Sequence, residues 1–437
     1  MQIQNHIAKI SWTLADKVLY VIYGFVFLIQ ISLLTPENIA LFNFLIAFNT
    51  WIFVISDSFA LQSIIQYGFD KENQSKVNSY AGIMHLLVIG VLSGLVYISR
   101  YLISDMFSEP RFLEIIVFLP VLSLLMIPRT FCLKLMLRDQ AMHKIFFANF
   151  IFFGVMVFRI ISFKLTKNTI GLDDAIYIYL EGVAFSSLAA VLMTLRQIRF
   201  SLKGKIQIKK IMSFSLPFTL TNSVNTFTKY LDYFLLKLFF PLDQIGLYTA
   251  ARSLFKFFEE GMNGVNGLIY PAAVRAASNN DKPALQSMIT KAISFTLIGY
   301  VFLSLALSLG LAEIMITFFM KLDYLESILH FKIMLIATLF LPFNILYFVI
   351  TASGRHYELL KIVSQSFAVS VLSFILIGLS GESILMPIGY VTFYCAFAIR
   401  AFFFVNNHQI ISLKFSDLFR AFGDSYKFVQ KLIAGKR

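Results

Sequence analysis

Twelve times along the chain a run of about 17 to 29 mostly apolar residues recurs, each long enough to cross a hydrocarbon core of roughly 30 Å as a helix. The runs fall at 10–33, 41–63, 79–99, 112–128, 145–163, 174–195, 211–236, 244–272, 292–313, 327–351, 362–378 and 384–404. Only 14% of the 437 residues are charged and 58% are hydrophobic, whereas soluble domains are about 25% charged. The sequence therefore predicts an all-α, polytopic membrane protein of about 12 transmembrane helices. The first run is too long for a signal peptide and lacks a small-residue cleavage site, so it is expected to persist as a helix. Cys132 and Cys395 stand far apart in apolar surroundings, and none of the six histidines has metal-ligand spacing. No disulfide, metal site or cofactor is expected.

A net charge of +13 raises the question of nucleic acid, and its distribution answers it. The segments 1–9, 64–78, 129–144, 196–210, 273–291, 352–361 and 405–437 lie on one side of the predicted membrane and hold 24 of the 37 Lys and Arg residues. The opposite loops hold six, and seven (Lys17, Arg159, Lys229, Arg252, Lys256, Lys332 and Arg400) sit inside spans. The positive-inside rule puts both termini in the cytoplasm. The basic surplus is a topology signal, and nucleic acid is not an expected partner. RQIRFSLKGKIQIKK (196–210) reads as a linker, and its mixture of Lys with Ile and Phe also suits an anionic headgroup layer. The basic amphipathic tail, 405–437, fits the same description or that of an ordinary charged tail.

One phrase occurs twice. ENIALF at 37–42 and DQIGLY at 243–248 match position by position in chemistry, each just after a proline and just before a long helix. A proline and an acid in that place are a helix-start signal, because carboxylate suits the orphan N–H groups and the positive end of the helix dipole. DKENQS (70–75) and DKPALQS (281–287) echo one another one helix later. Six spans separate the copies, so both enter from the same side, which is the signature of a parallel repeat. Two six-helix bundles are expected, 1–200 and 201–404, followed by the tail. Substrate sites in such proteins lie between repeats near mid-membrane.

An ionisable side chain at mid-membrane costs about 2.5 to 3.5 kcal/mol to insert, so each such residue is a candidate for function. The seventh span carries Asn222, Asn225, Lys229 and Asp232 on one helical face, and the eighth carries Tyr248, Arg252, Lys256, Glu260 and Asn263, with Glu259 adjacent. Three cations at similar depth, Arg252, Lys256 and Lys229, would draw an anion into a water-filled cavity. The first half is sparser: Asp16 and Lys17 in span one, and Asn43, Thr50 and Asp57 as a stripe in span two. The alternative is internal neutralisation: Lys256 with Glu260 at i,i+4, Lys229 with Asp232, and Arg159 with Glu181 across a hairpin. Pro120, Pro217, Pro342 and Pro387 fall inside four spans and are expected to kink them.

SFSLPFTL (213–220), LDYFLLKLFFPLDQIGLYTAARSLF (231–255) and their first-half echo SLLTPENIALFNF (32–44) resemble the bacterial polysaccharide transporter family, in the superfamily of multidrug and toxin extruders and lipid-linked oligosaccharide flippases. The stretch 231–255 carries the resemblance, and elsewhere it rests on length, span count and layout. The resemblance implies a MATE-like fold. It also implies a flippase that moves an undecaprenyl-diphosphate-linked oligosaccharide of O-antigen, capsule or exopolysaccharide across the bacterial inner membrane by alternating access through a cationic cavity. Its partners would be that lipid-linked glycan, membrane lipids and other polysaccharide-assembly proteins. Arg252, Lys256 and Lys229 suit the anion in type and depth, with Lys17 and Arg159 next. Asp16, Asp57, Glu259 and Glu260 are the candidates for ion coupling.

Two rivals remain. An ion-coupled multidrug or cation antiporter of the same superfamily would use those four acids to line its cavity. A membrane-embedded polysaccharide polymerase or glycosyltransferase would need a sizeable outer loop, yet the outer loops are all about 15 residues or fewer, and their one acidic pair, Asp173-Asp174, stands where a helix start favours carboxylates. No enzyme activity is expected.

Overall fold

The computed structural model describes residues 2–437 except 168, 202, 280, 321, 415, 418–422 and 424–437. Twelve long helical elements occupy the predicted positions: α1 Gln2–Leu33, α2 Pro36–Tyr67, α3 Gln74–Ile98, α4 Phe112–Arg138, α5 Met142–Thr166, α6 Leu172–Thr194, α7 Ile208–Lys237, α8 Leu242–Ser278, α9 Lys282–Phe319, α10 Ser327–Leu339 with Leu341–Ala352, α11 His356–Ser380 and α12 Ser383–Asn407. No strand occurs among the described residues. Most of the tail 405–437 lies outside them.

Among the described residues nine helices are long and apolar enough to cross a membrane, and the two arms of α10, bent by 51°, make a tenth span. The remaining two, α7 and α8, carry the charged and amide residues noted above. Local chemistry sets several starts. Thr35 caps α2 by accepting the Asn38 N–H at 3.3 Å, with Pro36 in the first turn. Asp281 caps α9 through the Ala284 N–H at 3.0 Å, and Asp174 accepts the Gly171 N–H at 3.0 Å at the start of α6. The repeated phrase does open helices, α2 in the first copy and α8 in the second.

The helix boundaries and prolines differ from expectation in informative ways. The fourth span does not stop at 128: Pro128 lies inside the helix, which runs on to Arg138 and carries Arg129, Lys134 and Arg138 with it. Pro387 stands in the first turn of a helix, where its missing N–H is no loss, and so interrupts nothing. Pro120 opens the long segment of α4 after a turn at 117–118, and Pro342 lies at the break of α10. Among the described residues two helices contain a π-turn, Asp57–Leu61 in α2 and Leu307–Leu311 in α9, the latter around Gly310 at φ 131°.

The chain packs as two compact units, 1–246 and 247–437. In the first, α1 lies on α5, α5 on α6, α6 on α4, α4 on α3, α3 on α2, and α7 on α2. The last contact is aromatic, with Phe234 edge-on to Phe44 and Phe48 at 5.3 and 5.0 Å between ring centroids. In the second, α12 packs on α11 and α10, and α9 on α10. Gly246, the last residue of the first unit, sits so close to α2 that an ideal Cβ there would fall 1.9 Å from the Pro36 carbonyl oxygen. The second copy of the repeated phrase therefore meets, at this glycine, the backbone of the proline that precedes the first.

Linker residues 199, 201, 204 and 206 are bonded to α3 or to Asn73 just before it. Ser79 Oγ accepts the Ser201 N–H at 2.8 Å, Asn73 Oδ1 accepts the Ile206 N–H at 2.9 Å, and Lys76 donates to the Gly204 carbonyl at 3.0 Å. Asn78 donates to the Arg199 carbonyl at 3.2 Å and accepts from the fully buried Arg138 at 3.1 Å. These bonds hold the linker's backbone against the protein.

Candidate functional site

α8 is 37 residues long, about 55 Å at 1.5 Å per residue, and its middle carries the polar cluster of the second unit. Arg252 is buried. Its guanidinium lies over the Tyr390 ring, 4.2 Å from the centroid, and its Nη1 donates to the Tyr248 hydroxyl at 3.3 Å. One turn pair further on, Glu259 Oε1 accepts hydrogen bonds from the Tyr390 hydroxyl and, at 2.7 Å, from the Tyr394 hydroxyl. Tyr390 thus serves both charges, its ring face the cation and its hydroxyl the carboxylate. Phe255 braces that ring edge-on at 5.5 Å, and Tyr300 donates to the Phe258 carbonyl at 2.7 Å.

The expected stripe Tyr248–Arg252–Lys256–Glu260–Asn263 divides: Tyr248 and Arg252 are buried, whereas Lys256, Glu260 and Asn263 are exposed. Glu259, expected only as a neighbour of the stripe, is the acid that α12 engages. At about 100° per residue, Glu259 lies roughly 20° from Arg252 on the side of Tyr248 and Phe255. Lys256 and Glu260 lie about 40° and 80° away on the other side.

The first unit holds a second polar cluster. Asp16 Oδ1 accepts from Asn149 Nδ2 at 2.8 Å, and Asn149 Oδ1 accepts from Arg129 Nη2 at 2.6 Å. Arg129 Nε donates to Ser186 Oγ at 2.8 Å, and the guanidinium lies 4.9 Å from the Phe152 ring centroid. Four helices, α1, α4, α5 and α6, are joined by this chain of bonds. Lys17 beside it is exposed, 5.4 Å from the Tyr20 ring centroid.

The other expected site residues are placed as follows. Asp57, at the start of the α2 π-turn, pairs with Lys134 of α4 at 3.0 Å, and Lys134 also donates to Gln62 at 3.1 Å. Arg159 and Glu181 form the ion pair read as one alternative, Nε to Oε2 at 2.8 Å, each side chain 38% exposed. The Lys229 side chain lies outside the described residues. Arg129, Asn149, Ser186, Tyr390 and Tyr394 were absent from the sequence candidates. The i,i+4 spacing of the two tyrosines inside a span was their signal, and Arg129 was hidden by placing the end of α4 at Pro128.

The model of a family described as polysaccharide biosynthesis protein matches residues 7–277. No curated protein sequence matches significantly. Among solved structures, an inward-facing multidrug resistance MATE family transporter of the MOP superfamily shares 16% identity and a TM-score of 0.73, over 92% of this chain and 96% of that one. Lipid II flippase MurJ, in an inward closed conformation, shares 13% identity and a TM-score of 0.74, over 98% of this chain and 93% of that one. A MOP superfamily transporter from Pyrococcus furiosus Vc1 (DSM3638) shares 15% identity and a TM-score of 0.59, over 92% of each chain. At such identities the likeness concerns the fold, which is the all-α, MATE-like one expected. With its family match covering 7–277, this multi-pass membrane chain belongs to the polysaccharide biosynthesis protein family.

Proposed function

We propose that the protein is a flippase that moves an undecaprenyl-diphosphate-linked oligosaccharide, the repeat unit of an O-antigen, capsule or exopolysaccharide, across the bacterial inner membrane with both termini cytoplasmic. The observation that carries the reading is the family match across 7–277 in a chain sharing the fold of a lipid II flippase. Together they favour a glycan on a lipid carrier over a free drug. Alternating access between six-helix bundles divided near 200/201 would carry the substrate. Arg252 supplies a cation for the diphosphate, presented by Tyr248 and Tyr390, with Lys256 exposed one turn along the helix. A guanidinium that lies on an aromatic ring keeps its charge and its N–H edge, which suits a phosphate oxygen.

Deleting the gene should abolish one surface polysaccharide, and the wild-type chain should restore it. Arg252→Ala with Lys256→Ala should fail to restore it at equal membrane level. An unchanged surface glycan in the deletion strain refutes the function, and full restoration by the double variant refutes the site.

A further inference from the structure

We propose that Arg129 is an oxyanion-binding residue of the first unit, its open guanidinium edge taking a phosphate or carboxylate group of the substrate, and that Asn149, Ser186 and Asp16 position it. The proposal names a second contact for the substrate class above and rests on that reading.

Arg129 is held by neutral groups, unlike several other cations of the long helices. Several other cations of the long helices meet a carboxylate directly: Lys134 meets Asp57 at 3.0 Å, Arg138 Asp139 at 2.7 Å, Arg159 Glu181 at 2.8 Å and Lys237 Glu109 at 3.5 Å. Lys332 likewise pairs with Glu313. Arg129 bonds instead to two neutral groups, the Asn149 amide oxygen and the Ser186 hydroxyl, with a phenyl ring against it. Its nearest acid in this chain of bonds, Asp16, is reached only across the Asn149 amide.

The partners are themselves fixed. Asn149 can orient only one way, because Asp16 takes its NH2 and Arg129 its oxygen. Ser186 spends its hydrogen on the Ala148 carbonyl at 2.7 Å and so offers Arg129 a lone pair. These bonds use Nε and one hydrogen of Nη2, the side edge of the guanidinium. Both hydrogens of Nη1 and the second of Nη2 have no acceptor among the described residues. That end is the two-pronged fork that matches a pair of oxygens on phosphate or carboxylate.

Depth gives the arrangement its meaning. Arg129 is four residues from the middle of the 27-residue α4, about 6 Å at 1.5 Å per residue, well inside a hydrocarbon core of roughly 30 Å centred on that helix. A cation there is costly and should face a partner or a water-filled path. Neutral bracing keeps the side chain rigid without cancelling its charge, as a site for a transient anion requires. Asp16, held through Asn149, sets the amide's orientation in this scheme and is not itself the anion's contact.

The test is calorimetric titration of the full-length protein in lipid nanodiscs with two probes, farnesyl diphosphate for the carrier's phosphates and D-glucuronate for an acidic sugar. One probe should bind, Arg129→Gln should weaken it at least tenfold, and Arg129→Lys, which keeps the charge and loses the fork, should weaken it at least threefold. Farnesyl diphosphate responding assigns the fork to the lipid carrier; glucuronate responding assigns it to the sugar. Thermal midpoints in the same nanodiscs identify a misfolded variant, and if Arg129→Gln proves unstable the Lys variant carries the test. Wild-type affinity in the variants for the probe that binds, or no binding of either probe to the wild type, overturns the proposal. A deletion that strips the surface glycan while Arg129→Gln binds normally sinks Arg129 alone. A deletion that leaves the glycan intact sinks the flippase reading, whatever the titration gives.

Discussion

Replacing Gly246 by alanine adds one methyl group where there is no room for it. The new Cβ would lie 1.9 Å from the Pro36 carbonyl oxygen, 2.3 Å from its carbon and 2.7 Å from its Cα, all backbone atoms. Reaching an ordinary contact of 3.4 Å requires the start of α8 and the start of α2 to separate by about 1.5 Å at this point, and no side-chain rotation can relieve it. Alanine also brings a gain, since it is favoured over glycine within a helix by about 1 kcal/mol. Overpacking of a well-filled site costs about 1 to 3 kcal/mol when side chains can adjust. With only backbone to move, the upper end applies, and the net effect should be a loss of about 2 kcal/mol. At about 2.1 cal/mol/K per residue, that corresponds to a fall of about 2 °C in the unfolding midpoint of the 437-residue chain. The assay is thermal unfolding of the detergent-purified chain, followed by the loss of its monodisperse peak in size-exclusion chromatography. Gly264→Ala and Gly267→Ala are the internal controls. They lie on the same helix with nothing within 4 Å of the added Cβ, and should be neutral or stabilising by up to about 1 kcal/mol. If Gly246→Ala unfolds at the same temperature as those two, the close approach of Gly246 to Pro36 is wrong.

Three further outcomes follow from the polar contacts. Asp57→Asn should destabilise the chain by about 1 kcal/mol because it leaves half-buried Lys134 without its carboxylate; a double-mutant cycle with Lys134→Met should show a coupling of at least 0.5 kcal/mol, and additive effects would deny the pair. Tyr394→Phe removes one of two hydroxyls that serve Glu259, a charged hydrogen bond of about 1.5 to 3 kcal/mol; an unchanged melting curve would remove Tyr394 from the cluster. Arg159→Met breaks a pair that is well exposed on both sides, so stability should change by no more than about 1 kcal/mol and surface glycan should be unaffected; loss of glycan at normal membrane level would make Arg159 a substrate contact.

Hydropathy located the helices because a span in lipid demands a minimum run of apolar residues, a demand that ten of the described spans meet and the more polar α7 and α8 do not. It misplaced the end of α4 for a physical reason. Pro128 followed by Arg129, Lys134 and Arg138 has the composition of a loop, and the groups that make it a tolerable helix come from elsewhere: Asn149 and Ser186 for Arg129, Asp57 for Lys134, Asn78 for Arg138. Such partners are 20 to 77 residues away in sequence, and no local pattern announces them. The pair Arg159–Glu181 was legible because a short hairpin places two opposite charges at one depth. On α8 the periodicity marks the right helix and Arg252, but it does not say where the buried arc ends, and so it groups the exposed Lys256 and Glu260 with Arg252 and leaves Glu259 adjacent to the stripe.

The bond between Glu259 and α12 also bears on how the chain is made. Glu259 and Tyr390 are 131 residues apart. At a synthesis rate of about 5–20 residues per second, roughly 7 to 26 s pass between the emergence of one and of the other. Throughout that interval α8, too polar to pass for a spanning helix alone, lacks the hydroxyls that serve its central carboxylate and the ring that carries Arg252. The second unit therefore becomes electrostatically complete only when its last helix arrives. A nascent chain that stops short of α12 leaves Glu259 without both of these hydroxyls and Arg252 without its ring.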